Sequence, residues 1–296
     1  QIMRAKMPLL VAVRSEFLEV WDEFSAPLIS DQAALIRPNM NDLNRWWGPE
    51  RLAEELIRGT PDDPAETIMF GLNWILVAGP NGVGLCHAPA ATALPAGGCR
   101  PVETTGPLIG QPLSDLARQA KGRDPMLRAL GWAAINAHLN QPSHLNDPDG
   151  TEEDGMAALL AGPDPERLVV IGGFPGTAVK HPQAEIIEFQ PSANEFPAWT
   201  GVERLALASH AAITASTLGN GTAPPLLSAA WDAKTAIVGP GTPLSPTLFN
   251  YGVDYLSGFI VENRDAAIAA IQHGGHIKAL KSAGRKWTIA RDRRSV

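Results

Sequence analysis

Apolar and polar positions change rhythm along this chain. Up to residue 66 they keep no sustained period, apart from a helical stretch opened by Gly48-Pro49-Glu50 and carrying Leu52, Leu56 and Ile57. Proline suits a first helical turn because no amide donor is needed there, and Gly59-Thr60-Pro61 ends the segment. From Thr67 to Val77 the run TIMFGLNWILV is apolar and β-rich, and Gly79-Pro80-Asn81-Gly82 then turns into VGLCHA. Asn-Gly is a strong tight-turn signal, so the pattern predicts a hairpin. After a Pro/Gly-rich stretch over 89–112, helices are predicted over 113–119 and 125–140. In the second, Leu127, Leu130, Ala134 and Ala137 recur at helical spacing and mark a buried face.

Residues 141–155 (QPSHLNDPDGTEEDG) are polar, acidic and turn-rich, and they make the best boundary in the chain. Beyond them the rhythm becomes strand, turn, helix. RLVVIGGFPG, AEIIEF, HAAITAS, KTAIVGPGTPLSP and DYLSGFIV read as five short apolar strands, the last followed by an Ala/Ile helix around Ala266–Gln272. Such strands alternating with helices predict a parallel sheet covered on both faces. The expected fold is therefore an α+β domain followed by an α/β, Rossmann-like, doubly wound parallel sheet. Its parts are a partly helical extension (1–66), an α+β domain (67–145) and an α/β domain (155–290).

Composition narrows the function classes. Of 296 residues, 45% are hydrophobic and 19% charged, which is the make-up of a globular chain with a core. The 28 glycines and 26 prolines follow no period, so shaped turns explain them. A net charge of -7 argues against a nucleic-acid binder. Cys86 and Cys99 build no disulfide framework and no CxxC pair. The early apolar run Pro8–Val13, bracketed by Lys6 and Arg14, is too short to span a membrane or to act as a secretion signal. A cytoplasmic protein without a membrane partner is expected. The basic C-terminal residues Arg285, Lys286, Arg291, Arg293 and Arg294 read as a solvated tail.

In an open parallel sheet, ligands bind beyond the carboxyl ends of the strands. The unusual residues of this chain fall at those ends: Gly172-Gly173-Phe174-Pro175-Gly176, Glu188, Thr214 with Ser216, Asn220 and Thr222, and Gly239-Pro240-Gly241-Thr242-Pro243. Glycine permits close approach, while Ser, Thr and Asn offer neutral hydrogen-bond groups. The first turn is not G-x-G-x-x-G, and Phe174-Pro175 removes an amide donor that a pyrophosphate would use, so ordinary NAD or ATP binding is disfavoured. Glu188 would be the ribose acceptor of a nucleotide reading. A ligand site is expected at Gly172, Phe174, Pro175, Glu188, Thr214, Ser216, Asn220, Thr222, Thr242 and Pro243. The plainer reading of the same loops is turn geometry alone.

The stretches IGGFPG, EIIEFQP, AITASTLGNGT, IVGPGTPLSPTLFNYGVDYLSGFIV and HGG resemble the family of putative heavy-metal chelation proteins. GLNWILVAGPNGVGLCHAP, GPLIGQPLSDLA and LRALGWAAINAHLN resemble its companion domain, which has an enolase N-terminal-like fold. The resemblance runs from about Ile68 to about Ile289. It implies a ligand cleft between two domains and a role in metal handling, with no reaction carried over. Motif positions include Asn73, Gly84, Asn136, Gly252 and Gly258. Gly241 stands where a serine is common and Gly219 where a residue such as valine is common. The implied function is binding of a small polar, heterocyclic or metal-chelating molecule; the alternative is an enzyme of chelator or natural-product biosynthesis.

The cofactor implied is a divalent or heavy-metal ion, held directly or as a chelate, and assembly of identical copies is left open. For direct binding the candidates are Cys86, His87, His273 and His276, although no HExxH motif or Cys/His quartet occurs. A buried strand cysteine and a helix end turned by Gly-Gly are the plainer readings. No G-x-S-x-G elbow supports Ser216 as a nucleophile. Trp46 and Trp47 are either core residues or a stacking wall for a flat heterocycle.

Overall fold

The computed structural model describes residues 51–89 and 106–291, all within one compact unit. The expectations for Gly48-Pro49-Glu50, Trp46, Trp47 and Cys99 lie outside these residues. Helix α1 (51–59) ends where Gly59-Thr60-Pro61 predicts. A three-stranded antiparallel sheet follows, of β1 (Thr67–Phe70), β2 (Trp74–Ala78) and β3 (Val83–His87). The Asn81-Gly82 hairpin joins β2 to β3. The run read as one β-rich stretch is in fact two strands. Gly71 N–H donates to the Trp74 carbonyl at 2.9 Å and reverses the chain, and the Ile271 side chain packs so close to Gly71 that a Cβ there would clash.

Helix α2 (Leu113–Ala117) runs on as a 3-10 turn, and α3 (Pro125–Leu139) is capped by Asp124, whose carboxylate accepts the Leu127 N–H. Alternation along β2 explains why every residue of it is buried. Ile75 and Val77 join one apolar cluster with Leu130, Ala133, Ala134 and Ala137 of α3. Trp74, Leu76 and Ala78 face the other way, toward Phe259, Val261, Ala267 and Ile271. The small sheet is thus packed on both faces, and one of those faces is supplied by the second half of the chain.

The large sheet holds β4 (Gly150–Thr151), β5 (Leu168–Ile171), β6 (Glu185–Glu188), β7 (Phe196–Pro197), β8 (His210–Thr214), β9 (Lys234–Val238), β10 (Tyr255–Val261) and β11 (Gly284–Ala290). Around it lie α4 (Gly155–Leu159), α5 (Thr177–Lys180), α6 (Gly201–Leu205), α7 (Ser216–Asn220), α8 (Ala223–Ala229) and α9 (Arg264–Gln272). The spatial order is β4-β11-β10-β9-β8-β5-β6-β7. All pairs from β10 to β7 are parallel; the sequence pattern predicts this for β5, β6, β8, β9 and β10, while the two-residue β7 is not foreseen. The sheet as a whole is mixed, because β11 runs antiparallel to β10 and β4 antiparallel to β11.

One reading is corrected here. Arg285 and Lys286 belong to β11 rather than to a solvated tail: Arg285 pairs with Glu152 and Glu262, and Lys286 with Asp154. The polar stretch 141–155 contains edge strand β4. Among the described residues no helix is long and apolar enough to cross a membrane.

Candidate functional site

From β5 the chain winds outward through β6 to β7, then returns to β5's other side and winds through β8, β9 and β10. The order reverses between β5 and β8, and in sheets of this kind ligands bind beyond the carboxyl ends of the strands at such a switch point. Gly172 follows β5 with φ 96°, and a Cβ there would lie 2.6 Å from the Thr214 methyl. Only glycine lets this turn adopt that backbone and lie against β8. Its amide donates to the Ile187 carbonyl at 2.8 Å, which ties the turn to β6.

Glu188 ends β6 and is half-buried. Its Oε1 accepts the Phe189 N–H at 2.8 Å, while Oε2 lies beside Gly173, 3.2 Å from where a Cβ would sit. Among the described residues no Lys, Arg or His pairs with this carboxylate. Thr214 ends β8, and its Oγ1 lies 3.2 Å from the Ser216 hydroxyl. Gly172, Glu188, Thr214 and Ser216 therefore gather at neighbouring strand ends. Phe174 is half-buried against the cluster of Leu159 and Val170, and Pro175 is exposed beside it.

The other candidates have different surroundings. Asn220 and Thr222 are exposed at the far end of α7, where the Asn220 Oδ1 accepts both the Thr222 N–H (2.9 Å) and its hydroxyl (2.7 Å). Thr242 and Pro243 are buried, and the Thr242 carbonyl accepts from Asn140 Nδ2 at 2.9 Å. One helical turn earlier, the fully buried Asn136 donates from Nδ2 to the carbonyls of Leu85 (2.8 Å) and Gly241 (2.9 Å). Asn140 Oδ1 accepts the Leu244 N–H at 3.0 Å. Helix α3 thus clasps β3 to the loop after β9. Gly219 and Gly241 are where β3 comes closest: a Cβ on Gly219 would lie 2.7 Å from Cys86 Sγ, and one on Gly241 3.4 Å from Cys86 Cα.

Of the metal candidates, Cys86 faces that packed interior, and burial pushes its thiol up to about 12. His87, on the opposite side of the strand, sets its ring edge-on to Trp74 and its Nδ1 2.8 Å from the Ala88 carbonyl. Its pKa is lowered by burial, and the nearby charge of His276 acts in the same direction. Asn73 Nδ2 donates to the Gly274 carbonyl at 2.8 Å and anchors the loop that carries the exposed His273 and His276. Among the described residues no three His, Cys, Asp or Glu side chains form a group able to hold a metal ion. The buried Cys86 thiol points away from the imidazoles of His87, His273 and His276, so these four do not make up one donor set for an ion held directly by the protein.

The state of Cys86 is directly testable. A thiol titrating near 12 is almost wholly protonated at pH 8, and only the thiolate is a nucleophile. Iodoacetamide at pH 8 should leave the Cys86 peptide unmodified in folded protein and alkylate it in urea, as read by peptide mass mapping. Because the folded value lies above the ordinary thiol value of 9.0, stability should hold below pH 9 and fall as the pH rises past it.

Sequence reasoning missed the exposed Phe189 and Trp199, and Asn140. The Asn136/Asn140 pair, four residues apart on an otherwise apolar helix face, was the signal available for the last of these.

The fold is that of a Rossmann-like α/β protein whose switch point carries glycines, small hydroxyls and a carboxylate without a cationic partner among the described residues. The chain belongs to the family described as "Putative heavy-metal chelation": two models of that description match residues 53–139 and 157–290. It is similar to a solved DUF364-family protein of unknown function from Desulfitobacterium hafniense, with TM-score 0.69 and 28% identity over 82% of this chain and 98% of that one. A DUF364-family structure from Pyrococcus horikoshii has the same fold, with TM-score 0.68 and 22% identity over 82% and 99% of the two chains. No curated protein matches.

Proposed function

We propose that the chain binds a small polar, heterocyclic or metal-chelating molecule in the switch-point crevice, that it serves metal handling, and that metal arrives as a chelate. In this reading the N-terminal module is enolase N-terminal-like and supplies part of the cleft wall. The observation that carries the reading is the Glu188 carboxylate: half-buried, without a cationic partner among the described residues, and open at Oε2 above Gly173. Its second oxygen is reached by water and has no hydrogen-bond partner among the described residues, so a ligand donor can take the place of that water. The family description supports metal-related binding.

Binding is favoured over catalysis because Glu188 bonds to a backbone amide and to no second titratable group among the described residues. General acid–base chemistry needs such a tuned partner. The test is metal content by inductively coupled plasma mass spectrometry, on protein purified without chelators from zinc- and nickel-supplemented cultures. Glu188→Gln should retain about tenfold less metal, the worth of one charge-assisted hydrogen bond. Thr222→Val, far along α7, should match wild type. Equal retention by wild type and Glu188→Gln would move the site elsewhere.

A further inference from the structure

Resting on the crevice reading, we infer that the ligand is a nucleoside, or a compound bearing one, without a 5′-phosphate. Strands β7, β6, β5, β8, β9 and β10 reproduce the spatial order 3-2-1-4-5-6 of dinucleotide-binding sheets. Glu188 therefore ends the second strand, the place from which such sheets present a carboxylate to a ribose. A vicinal diol has two O–H donors to give. Oε2 lies beside Gly173 without a hydrogen-bond partner among the described residues, and Oε1 keeps a lone pair beyond the bond it accepts from Phe189.

Two aromatic residues follow the ends of β6 and β7. β6 and β7 pair with Glu188 opposite Pro197, so Phe189 and Trp199 leave the sheet together, just past the last paired residues. Both are large apolar side chains left open to solvent, Phe189 at 65% and Trp199 at 81%. Exposed aromatic residues at the strand ends that carry a ribose acceptor suit a base, because every base has a π-face to stack. The features that hold phosphates are missing from the same turn. Pro175 has no N–H to give, the turn departs from G-x-G-x-x-G, and α5 behind it is only four residues long. Recognition of ribose and base without phosphate is what remains.

The experiment is calorimetric titration of the full chain with adenosine, guanosine, 2′-deoxyadenosine and ATP. Adenosine or guanosine should bind. Loss of the 2′-hydroxyl should weaken adenosine about tenfold in wild type and less than about twofold in Glu188→Gln, a difference a merely structural Glu188 would not produce. Trp199→Ala should weaken the nucleoside about tenfold by removing one stacking face. ATP should bind no more tightly than adenosine.

Absence of nucleoside binding at millimolar concentration, equal affinities of adenosine and its 2′-deoxy form in wild type, or ATP binding tenfold tighter would each overturn the inference. If nucleosides fail while Glu188→Gln still loses metal, the crevice reading stands and only the ligand class is wrong. If that variant also keeps its metal, both fall.

Discussion

Asn136→Ala should lower the unfolding free energy by about 2–4 kcal/mol. The buried Nδ2 serves two carbonyls, Leu85 on β3 and Gly241 in the loop after β9. Each buried carbonyl that loses its donor costs about 1–3 kcal/mol, and deleting Oδ1, which has no hydrogen-bond partner, returns part of that sum. Asn136→Asp is the sharper variant. It keeps the shape but sets an oxygen against two carbonyl oxygens, so it should be at least as destabilising as alanine. Urea unfolding of Asn136→Ala, Asn140→Ala and the double variant would measure the coupling, which should exceed about 0.5 kcal/mol because both amides hold one loop. Additive effects, or a loss for Asn136→Ala below about 0.5 kcal/mol, would mean the clasp contributes little.

Gly84→Ala should be more severe, costing about 3 kcal/mol or more and leaving little soluble protein. Gly84 lies in β3 opposite Val77, and a Cβ there would overlap the Ala133 carbonyl and the Ala137 amide of α3. Overpacking a core typically costs about 1–3 kcal/mol, and the cost is highest where the obstacle is backbone that cannot change rotamer. Gly59→Ala is the matched control. It lies in α1 with nothing within 4 Å of its Cβ, so the same change should be neutral or stabilising by up to about 1 kcal/mol. Thermal unfolding followed by circular dichroism compares them. Equal melting temperatures for the two variants would show that β3 can move away from α3.

The small and large sheets share their packing, so these two substitutions should act on both halves at once. Trp74 and Leu76 rest on Phe259 and Ile271, and Asn136 joins β3 to the β9 loop. A single cooperative transition is expected by every probe in the urea experiment.

The chain's local pattern determined much of this architecture. The Asn81-Gly82 turn, the apolar face of α3, the five parallel strands and the small polar residues at their carboxyl ends follow from periodicity and turn chemistry, which act over a few residues. The continuous apolar runs of β5, β8 and β9 announced burial on both faces. They could not announce which strands would be neighbours. Strand order, the reversal at β5 and the antiparallel β11 were decided by pairing between distant segments, as were the openness of Glu188 and the burial of Thr242. The bond from Asn136 to Gly241 spans 105 residues, and that from Asn140 to Thr242 spans 102. No window of sequence records such partners: a buried carbonyl takes whichever donor the packed core brings to it, and only the folded core fixes that choice.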